Sequence, residues 1–207
     1  MRLFTTDDLF SLSNINLDKW TNTFSMDFYL TYMSKWPDLF FTEGAPNGDL
    51  VGFGVGKIEG DPNPEKLDYR GHVSVLTIAP EYRRARFSLT FMKFIEDVSE
   101  KVDNAFFVDL FVRKDNDLAV ALYRKLQYSV YRHILEYYGN HNDAYDMRKA
   151  LPRDTKKASI VSPYSKPIHV SKTYTTLSPV CNKHPSYNPY YYIITFNCFD
   201  TPLPSQK

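Results

Sequence analysis

Cysteine is nearly missing from this chain. Residues 1–180 contain none, and the two present, Cys181 and Cys198, both fall late. That distribution excludes a disulfide framework and a cysteine-based zinc site for the main body. The five histidines have no metal-ligand spacing, so no metal is expected. No apolar run approaches about 18 residues, the length a membrane-spanning helix needs. A surplus of one charge is also lacking: 25 Lys and Arg stand against 24 Asp and Glu, for a net charge of +1. Bulk charge therefore gives no reason to expect direct DNA binding or a membrane surface as partner. The first ten residues are too polar and acidic for a signal peptide, which makes the cytoplasm the expected location.

Aromatic side chains are abundant: 16 Tyr and 15 Phe among 207 residues. The hydrophobic share of 43% is that of a globular protein, and about 150 residues suffice to bury a core. Arg2–Thr5 reads as a short strand, and Thr6 or Asp7 as the cap of a helix reaching Ser11. Phe28, Tyr29, Tyr32 and Met33 fall at helical spacing and predict a helix over Ser25–Ser34, ended by Trp36-Pro37. Leu39–Glu43 and Leu50–Glu59 predict strands joined by a turn at Pro46-Asn47-Gly48. Glycines at 52, 54 and 56 inside the second strand point to a bulge or to close approach of another group. Gly71–Ala79 is apolar on both faces, with Val73, Val75 and Thr77 on one and Ser74, Leu76 and Ile78 on the other, so it is expected at the centre of the sheet.

After the loop Pro80-Glu81-Tyr82-Arg83-Arg84, Phe87, Phe91, Phe94, Ile95 and Val98 predict a helix to about Lys101. Ala105–Val112 reads as a second buried strand, Asp115–Leu126 as a helix, and Tyr128–Tyr137 and Ala144–Arg148 as the last strands. The order β-α-α-β-β-β-α-β-α-β-β is a mixed α/β pattern with no visible repeat. Residues 1–151 are expected to form one domain. Residues 152–207 are expected to form a largely disordered tail, because 152–189 are rich in Pro, Ser, Thr and Lys. Tyr190–Phe199 stands out within that tail as an aromatic patch of strand character.

A central strand, a short arginine loop and a helix make a recurring anion site. The first amides of the helix and its dipole favour negative charge, and Arg83 and Arg84 add charge-assisted contacts. Two readings are open on spacing alone: a pyrophosphate site, or a surface loop with two solvated arginines.

The segment Tyr82-Arg83-Arg84-Ala85-Arg86-Phe87-Ser88 resembles the acetyl-CoA loop of GNAT acetyltransferases, Gln/Arg-x-x-Gly-x-Gly/Ala. The stretch Asn116 to Tyr128 resembles their second signature, Asn-x-x-Ala-x-x-Leu/Met-Tyr-x-x-Leu-Gly-Phe/Tyr. Asn14–Asp18, Phe28-Tyr29-Leu30, Trp36-Pro37, Phe106–Arg113, Glu136-Tyr137-Tyr138 and Asp143–Leu151 resemble, in the same order, the catalytic subunits of NatB-type N-terminal acetyltransferases. The resemblance runs from residue 4 to about 160. It implies a GNAT fold, a mixed sheet of about seven strands flanked by four helices. It implies transfer of acetyl from acetyl-CoA to the α-amine of nascent chains starting Met-Asp, Met-Glu, Met-Asn or Met-Gln. It also implies a large helical auxiliary subunit that brings the enzyme to the ribosome.

By the same resemblance Thr77, Ile78, Arg83, Arg84, Ala85, Arg86, Phe87, Ser88, Asn116 and Tyr123 hold the cofactor. Asn22, Phe24, His72, Ser74, Phe111, Tyr137 and Tyr138 surround the substrate. Acetyl transfer needs a neutral amine and a proton for the leaving thiolate. Tyr123 is expected to protonate the leaving sulfur or to hold the thioester by a hydrogen bond, and an ordered water, Tyr137 or Tyr138 is the expected route for the amine's proton. Plainer roles compete: a packed tyrosine for Tyr123, a helix cap for Asn116, a buried and satisfied histidine for His72, core packing for Phe24 and Phe111. Ser88 stands where Gly or Ala is usual in the family. At three further positions Arg86 and Gln127 replace glycines, and Asn22 replaces a Glu. These departures motivate an alternative, a catalytically weakened GNAT-fold subunit that acts as a binding or regulatory partner. Leu9, Phe10, Trp20 and Tyr29 are the expected partner-facing side chains.

Overall fold

Alternating apolar strands and amphipathic helices assemble, in the computed structural model, around one mixed sheet. The structure describes residues 1–13, 15, 20, 24–63, 65–139 and 141–169, and the backbone of 196–197. The strands are β1 (Arg2–Leu3), β2 (Phe40–Gly44), β3 (Leu50–Glu59), β4 (Arg70–Ile78), β5 (Phe107–Arg113), β6 (Ser129–Leu135), β7 (Ala144–Ala150), β8 (Ile168–His169) and β9 (Phe196–Asn197). The helices are α1 (Met26–Lys35), α2 (Phe87–Lys101) and α3 (Asp117–Lys125). The sheet order is β1-β2-β3-β4-β5-β7-β6-β8, and β9 pairs with β4. β4 and β5 run parallel, joined through α2, while β2 to β4 and β5 to β7 pair antiparallel.

The expected helix at Asp7–Ser11 is instead a six-residue 3-10 helix, Thr6–Ser11, with Thr5 as its N-cap. Asp8 fixes it: its carboxylate accepts from the Thr5 amide at 2.8 Å and pairs through both oxygens with Arg2 at 2.7 Å. Those bonds tie down a single tight turn, which suits i→i+3 geometry.

Two apolar clusters lie on the two faces of the sheet. Phe91, Met92 and Ile95 of α2 and Val120, Leu122 and Tyr123 of α3 pack with Val73, Leu76, Ile78, Val108 and Leu110. Tyr29 and Tyr32 of α1 pack with Phe40, Phe53, Val55, Val75 and Ala79. Each fully buried aliphatic or phenyl side chain contributes about 1.5–3 kcal/mol. The alternation expected along β4 breaks in the middle. A bulge at Ser74 of β4 faces the step from Val55 to Gly56 of β3, so Val73 and Val75 enter different clusters. Close approach explains the neighbouring glycines: a Cβ on Gly52 would overlap the Thr77 carbonyl, and one on Gly54 would overlap the Phe41 ring.

The pairing of β4 with β5 covers only Arg70–Val73 against Phe107–Leu110. Beyond Val73 the two strands part, and the backbone of β9 lies parallel beside Leu76 and Thr77 in that opening. Past residue 151 the chain stays attached as far as it is described. Asp154 accepts from the Ser159 amide and hydroxyl at 2.9 and 2.6 Å, Arg148 donates to the Ser159 carbonyl, and β8 pairs with β6. The Tyr190–Phe199 patch, Cys181 and Cys198 lie outside the described residues, apart from the backbone of β9.

Candidate active site

The C-terminal end of β4 leads into a loop whose backbone is unusual. Pro80–Tyr82 form a 3-10 turn, Arg83 is extended, and Arg84 and Arg86 both take left-handed conformations, φ 62° and 67°. Arg83 Nε donates back to the Ile78 carbonyl at 3.3 Å. Arg86 is the N-cap of α2 and supplies no side-chain cap; the Leu89 and Thr90 amides already donate to its carbonyl, which leaves the Phe87 and Ser88 amides without an acceptor in this 15-residue helix. They open on a cavity of about 360 Å³.

Six expected cofactor residues line that cavity: Ile78, Arg83, Arg84, Arg86, Phe87 and Ser88. Sequence reading missed Tyr82, Leu89 and the whole α3 wall of Leu122, Lys125 and Leu126. Leu122, Lys125 and Leu126 sit at i, i+3, i+4 on one face of α3, and that spacing was the available signal. The lining carries four cationic side chains and no acidic one, over an apolar floor. A ligand with both phosphates and a carbon arm fits that chemistry.

Ala85, Thr77, Asn116 and Tyr123 do not line the cavity. Asn116 caps α3, its Oδ1 accepting from the Ala119 amide at 3.2 Å. Tyr123 is fully buried, its ring 5.7 Å from that of Tyr128. Thr77 is also fully buried, and its Oγ1 has no hydrogen-bond partner among the described residues. A buried hydroxyl without a partner calls for a ligand or water, and Thr77 sits where β4 has left β5.

The other half of β4 is built from paired charge. His72 Nδ1 lies 2.7 Å from Asp109 Oδ1, the two residues being lateral neighbours on parallel strands. Arg70 Nε donates to Asp109 Oδ2 at 3.0 Å, and its Nη2 to Glu59 Oε2 at 2.7 Å. Lys57 completes the row on Glu59 at 2.5 Å. Burial alone would raise the Asp109 carboxyl, but Arg70 and His72 outweigh it and hold the group well below the usual carboxylate range. Glu59 is likewise lowered: Lys57 is the largest influence opposing its burial.

Aromatic contacts connect this row to the other expected substrate residues. Ser74 Oγ lies 2.9 Å from Tyr32 Oη, Tyr32 packs on Phe28 at 4.5 Å, and Phe28 stacks on Phe24 at 4.1 Å. On the far side His72 packs on Phe111 at 5.6 Å, Phe111 stacks on Tyr137 at 4.9 Å, and Tyr137 meets Tyr138 edge-on at 5.0 Å. Phe24, Ser74, His72, Phe111, Tyr137 and Tyr138 thus form one continuous run. Burial pushes the Tyr138 phenol above its ordinary value, and Arg113, 5.8 Å over its ring, only partly opposes this. Asn22 lies outside the described residues. Of the expected partner-facing side chains, Phe10 is 83% exposed, but Tyr29 is buried. Trp20 is covered by the Arg113 guanidinium at 5.1 Å.

The acetyltransferase (GNAT) family model matches residues 9–128. The N-alpha-acetyltransferase 20 of Dictyostelium discoideum is 47% identical over 169 residues, covering 82% of this chain and 95% of that protein. The NAA20 catalytic subunit of the N-terminal acetyltransferase B complex of Arabidopsis thaliana is 44% identical over 168 residues, covering 81% and 94%. A crystal structure of Chaetomium thermophilum Naa20 with a bisubstrate analogue aligns with a TM-score of 0.76 at 37% identity, over 83% of this chain and 97% of that one. A structure of a NatB acetyltransferase complex bound to CoA and MES aligns with a TM-score of 0.65 at 36% identity, over 73% and 98%. The mixed sheet with its parted central strands, the cationic loop before α2 and these relatives agree: the chain belongs to the GNAT acetyltransferase family, among the catalytic subunits of NatB-type N-terminal acetyltransferases.

Proposed function

We propose that this chain acetylates the α-amine of nascent polypeptides that begin Met-Asp, Met-Glu, Met-Asn or Met-Gln, with acetyl-CoA as co-substrate. β4 carries the reading: one strand joins a cationic loop that suits phosphates to a buried polar row that suits a peptide's second side chain. Acetyl-CoA, when bound, supplies the thioester carbon that the amine attacks. Arg83, Arg84, Arg86 and Lys125, with the first amides of α2, hold the phosphates. Thr77 Oγ1 offers a buried hydrogen bond to the carbon arm, and an extended guest competes with β9 for the backbone of Leu76 and Thr77.

Phe24 and Phe111 provide apolar surface for the initiator Met, and His72 and Ser74 meet the second residue. Tyr123 donates a proton to the departing sulfur. Tyr138 remains protonated at neutral pH, because burial raises its phenol, so it serves as a hydrogen-bonding group. The amine's proton then leaves through water. The left-handed backbone at Arg86 and Gln127 accounts for the family glycines there as conformational positions. That removes the main motive for reading the chain as a weakened regulatory subunit.

We place the enzyme in the cytoplasm, on ribosomes through a large helical auxiliary subunit. Phe10, Met26 and Leu30 are exposed in the N-terminal segment and supply apolar surface for such a partner. Comparing a Met-Asp-Glu peptide with spermidine as acceptor tests the reading. Faster peptide acetylation, reduced at least a hundredfold in kcat by Tyr123→Phe, is expected from the usual weight of general acid catalysis, about 10²–10⁴-fold. Faster spermidine turnover would overturn it.

A further inference from the structure

We infer that Asp109 is a positioning residue that makes His72 a proton-dependent selector of the substrate's second side chain, favouring Asp or Glu when His72 carries a proton and Asn or Gln when it does not. The inference rests on the reading that seats the second residue against His72.

The geometry fixes which nitrogen does what. Asp109 Oδ1 lies 2.7 Å from His72 Nδ1, and Asp109 is itself held by Arg70 at 3.0 Å. A carboxylate can only accept, so Nδ1 keeps its hydrogen in both protonation states. Nε2 is therefore the nitrogen that changes character. In the imidazolium it donates, which suits the carboxylate of Asp or Glu. In the neutral ring it presents a lone pair, which repels a carboxylate and accepts from the NH₂ of Asn or Gln. An Asp109-less site would let the neutral ring choose either tautomer, and the discrimination would be lost.

The charges around His72 come in pairs. β3 contributes Lys57 and Glu59, β4 contributes Arg70, and β5 contributes Asp109. Two cations face two anions, so the row is neutral with His72 neutral. From β7, Arg148 acts on Asp109 and Asp146 on Arg70, and Asp146 is shared with Arg132 of β6. On the α1 side the contact comes through Ser74 to the uncharged Tyr32 hydroxyl, and beyond Phe111 lies the uncharged Tyr137 phenol. Each carboxylate in this set is paired with a cation. A substrate carboxylate arriving at Nε2 adds one negative charge and recruits one proton from solvent; a substrate amide recruits none.

The test uses the full chain in the assembly with which it purifies. It measures kcat/KM for a Met-Asp peptide and a matched Met-Asn peptide between pH 6 and 9. The amine's own ionisation cancels in the ratio of the two. The Asp/Asn ratio is expected to fall with rising pH, approaching about tenfold per pH unit across the transition, as one linked proton requires. Asp109→Asn, which keeps an acceptor but removes the charge, is expected to move that transition to lower pH. His72→Gln is expected to make the ratio pH-independent. Should Asp109→Asn fail to fold, ¹⁵N spectra of the wild-type imidazole decide instead. A neutral ring protonated on Nδ1 agrees with the inference, and one protonated on Nε2 overturns it. A flat wild-type ratio also overturns it. His72→Ala separates the two levels: unchanged KM for both peptides removes the seating of the second residue at His72. Raised KM together with a flat wild-type ratio removes only the proton-dependent selection.

Discussion

The two halves of β4 are built by opposite means. From Arg70 to Ser74 every polar side chain is buried or nearly so and has a named partner within about a hydrogen bond's length. From Thr77 to Ser88 the polar groups are arginines, two of them exposed on left-handed backbone, the Phe87 and Ser88 amides, and the Thr77 hydroxyl, which has no partner among the described residues. The first half is complete without a ligand, and the second is not. A paired row can discriminate between similar side chains, because a mismatch leaves buried groups unsatisfied. A solvent-facing cationic loop can hold a large phosphate group without discriminating finely. The difference assigns selection to one half and anchorage to the other.

The largest way to break this contrast is Asp109→Ala. It takes the buried partner from His72 and leaves Arg70 with Glu59 alone, and removing one partner from a buried ion pair costs about 3–5 kcal/mol. Urea unfolding is expected to show a loss in that range, whereas Arg84→Ala in the exposed loop is expected to stay within about 0.5 kcal/mol. Acid is the next probe. Asp109 and Glu59 are lowered in the folded protein, so their contribution is present above the ordinary carboxylate value of about 4 and is lost as pH falls below it. The urea midpoint is expected to drop from pH 7 to pH 3, and by less in Asp109→Asn. Equal drops in both proteins would mean that the row does not govern acid stability.

Salt probes the other half. Arg83, Arg84 and Arg86 make the loop cationic, but it faces solvent, where charge is screened. Acetyl-CoA affinity measured by calorimetry is expected to weaken severalfold between about 0.05 and 0.5 M salt. The Met-Asp over Met-Asn preference, set in the buried row, is expected to change little over that range.

Sequence carried the strand and helix order, the arginine loop and the aromatic residues of the substrate run, because each follows from local periodicity or from a contiguous motif. It did not carry Asp109. That residue reads as one polar position inside Phe107–Arg113, and its role depends on the lateral register that puts it beside His72 across 37 positions of chain. The glycines of β3 pointed to a bulge or a close approach, but that the extra residue lies in β4 did not show for a similar reason: Ser74 and Val75 look like ordinary alternation until β3 is placed beside them. The α3 wall of the cavity was legible in its spacing but went unread, because amphipathic spacing marks packing more often than a ligand. Arg86 and Gln127 were read as losses of function from missing glycine, when the structural fact behind both is a positive φ.

That shared φ gives the finest comparison. Gln127 follows α3 with φ 71°; its amide donates to Arg124 O at 3.0 Å, and the Tyr128 amide to Tyr123 O at 2.9 Å, a helix end of the Schellman kind. Arg86 precedes α2 with φ 67°. A glycine at either place relieves a left-handed Cβ, worth up to about 1 kcal/mol. For a chain of this size that is a rise of about 2–4 °C in Tm. Both Gln127→Gly and Arg86→Gly are expected to show such a rise. They part in function, because only Arg86 lines the cavity. Arg86→Gly is expected to weaken acetyl-CoA binding by less than about tenfold, the worth of one exposed charge-assisted contact, and Gln127→Gly to leave it unchanged. If Arg86→Gly tightens binding instead, the arginine obstructs the phosphates rather than holding them, and the loop's cationic character must be carried by Arg83, Arg84 and Lys125 alone.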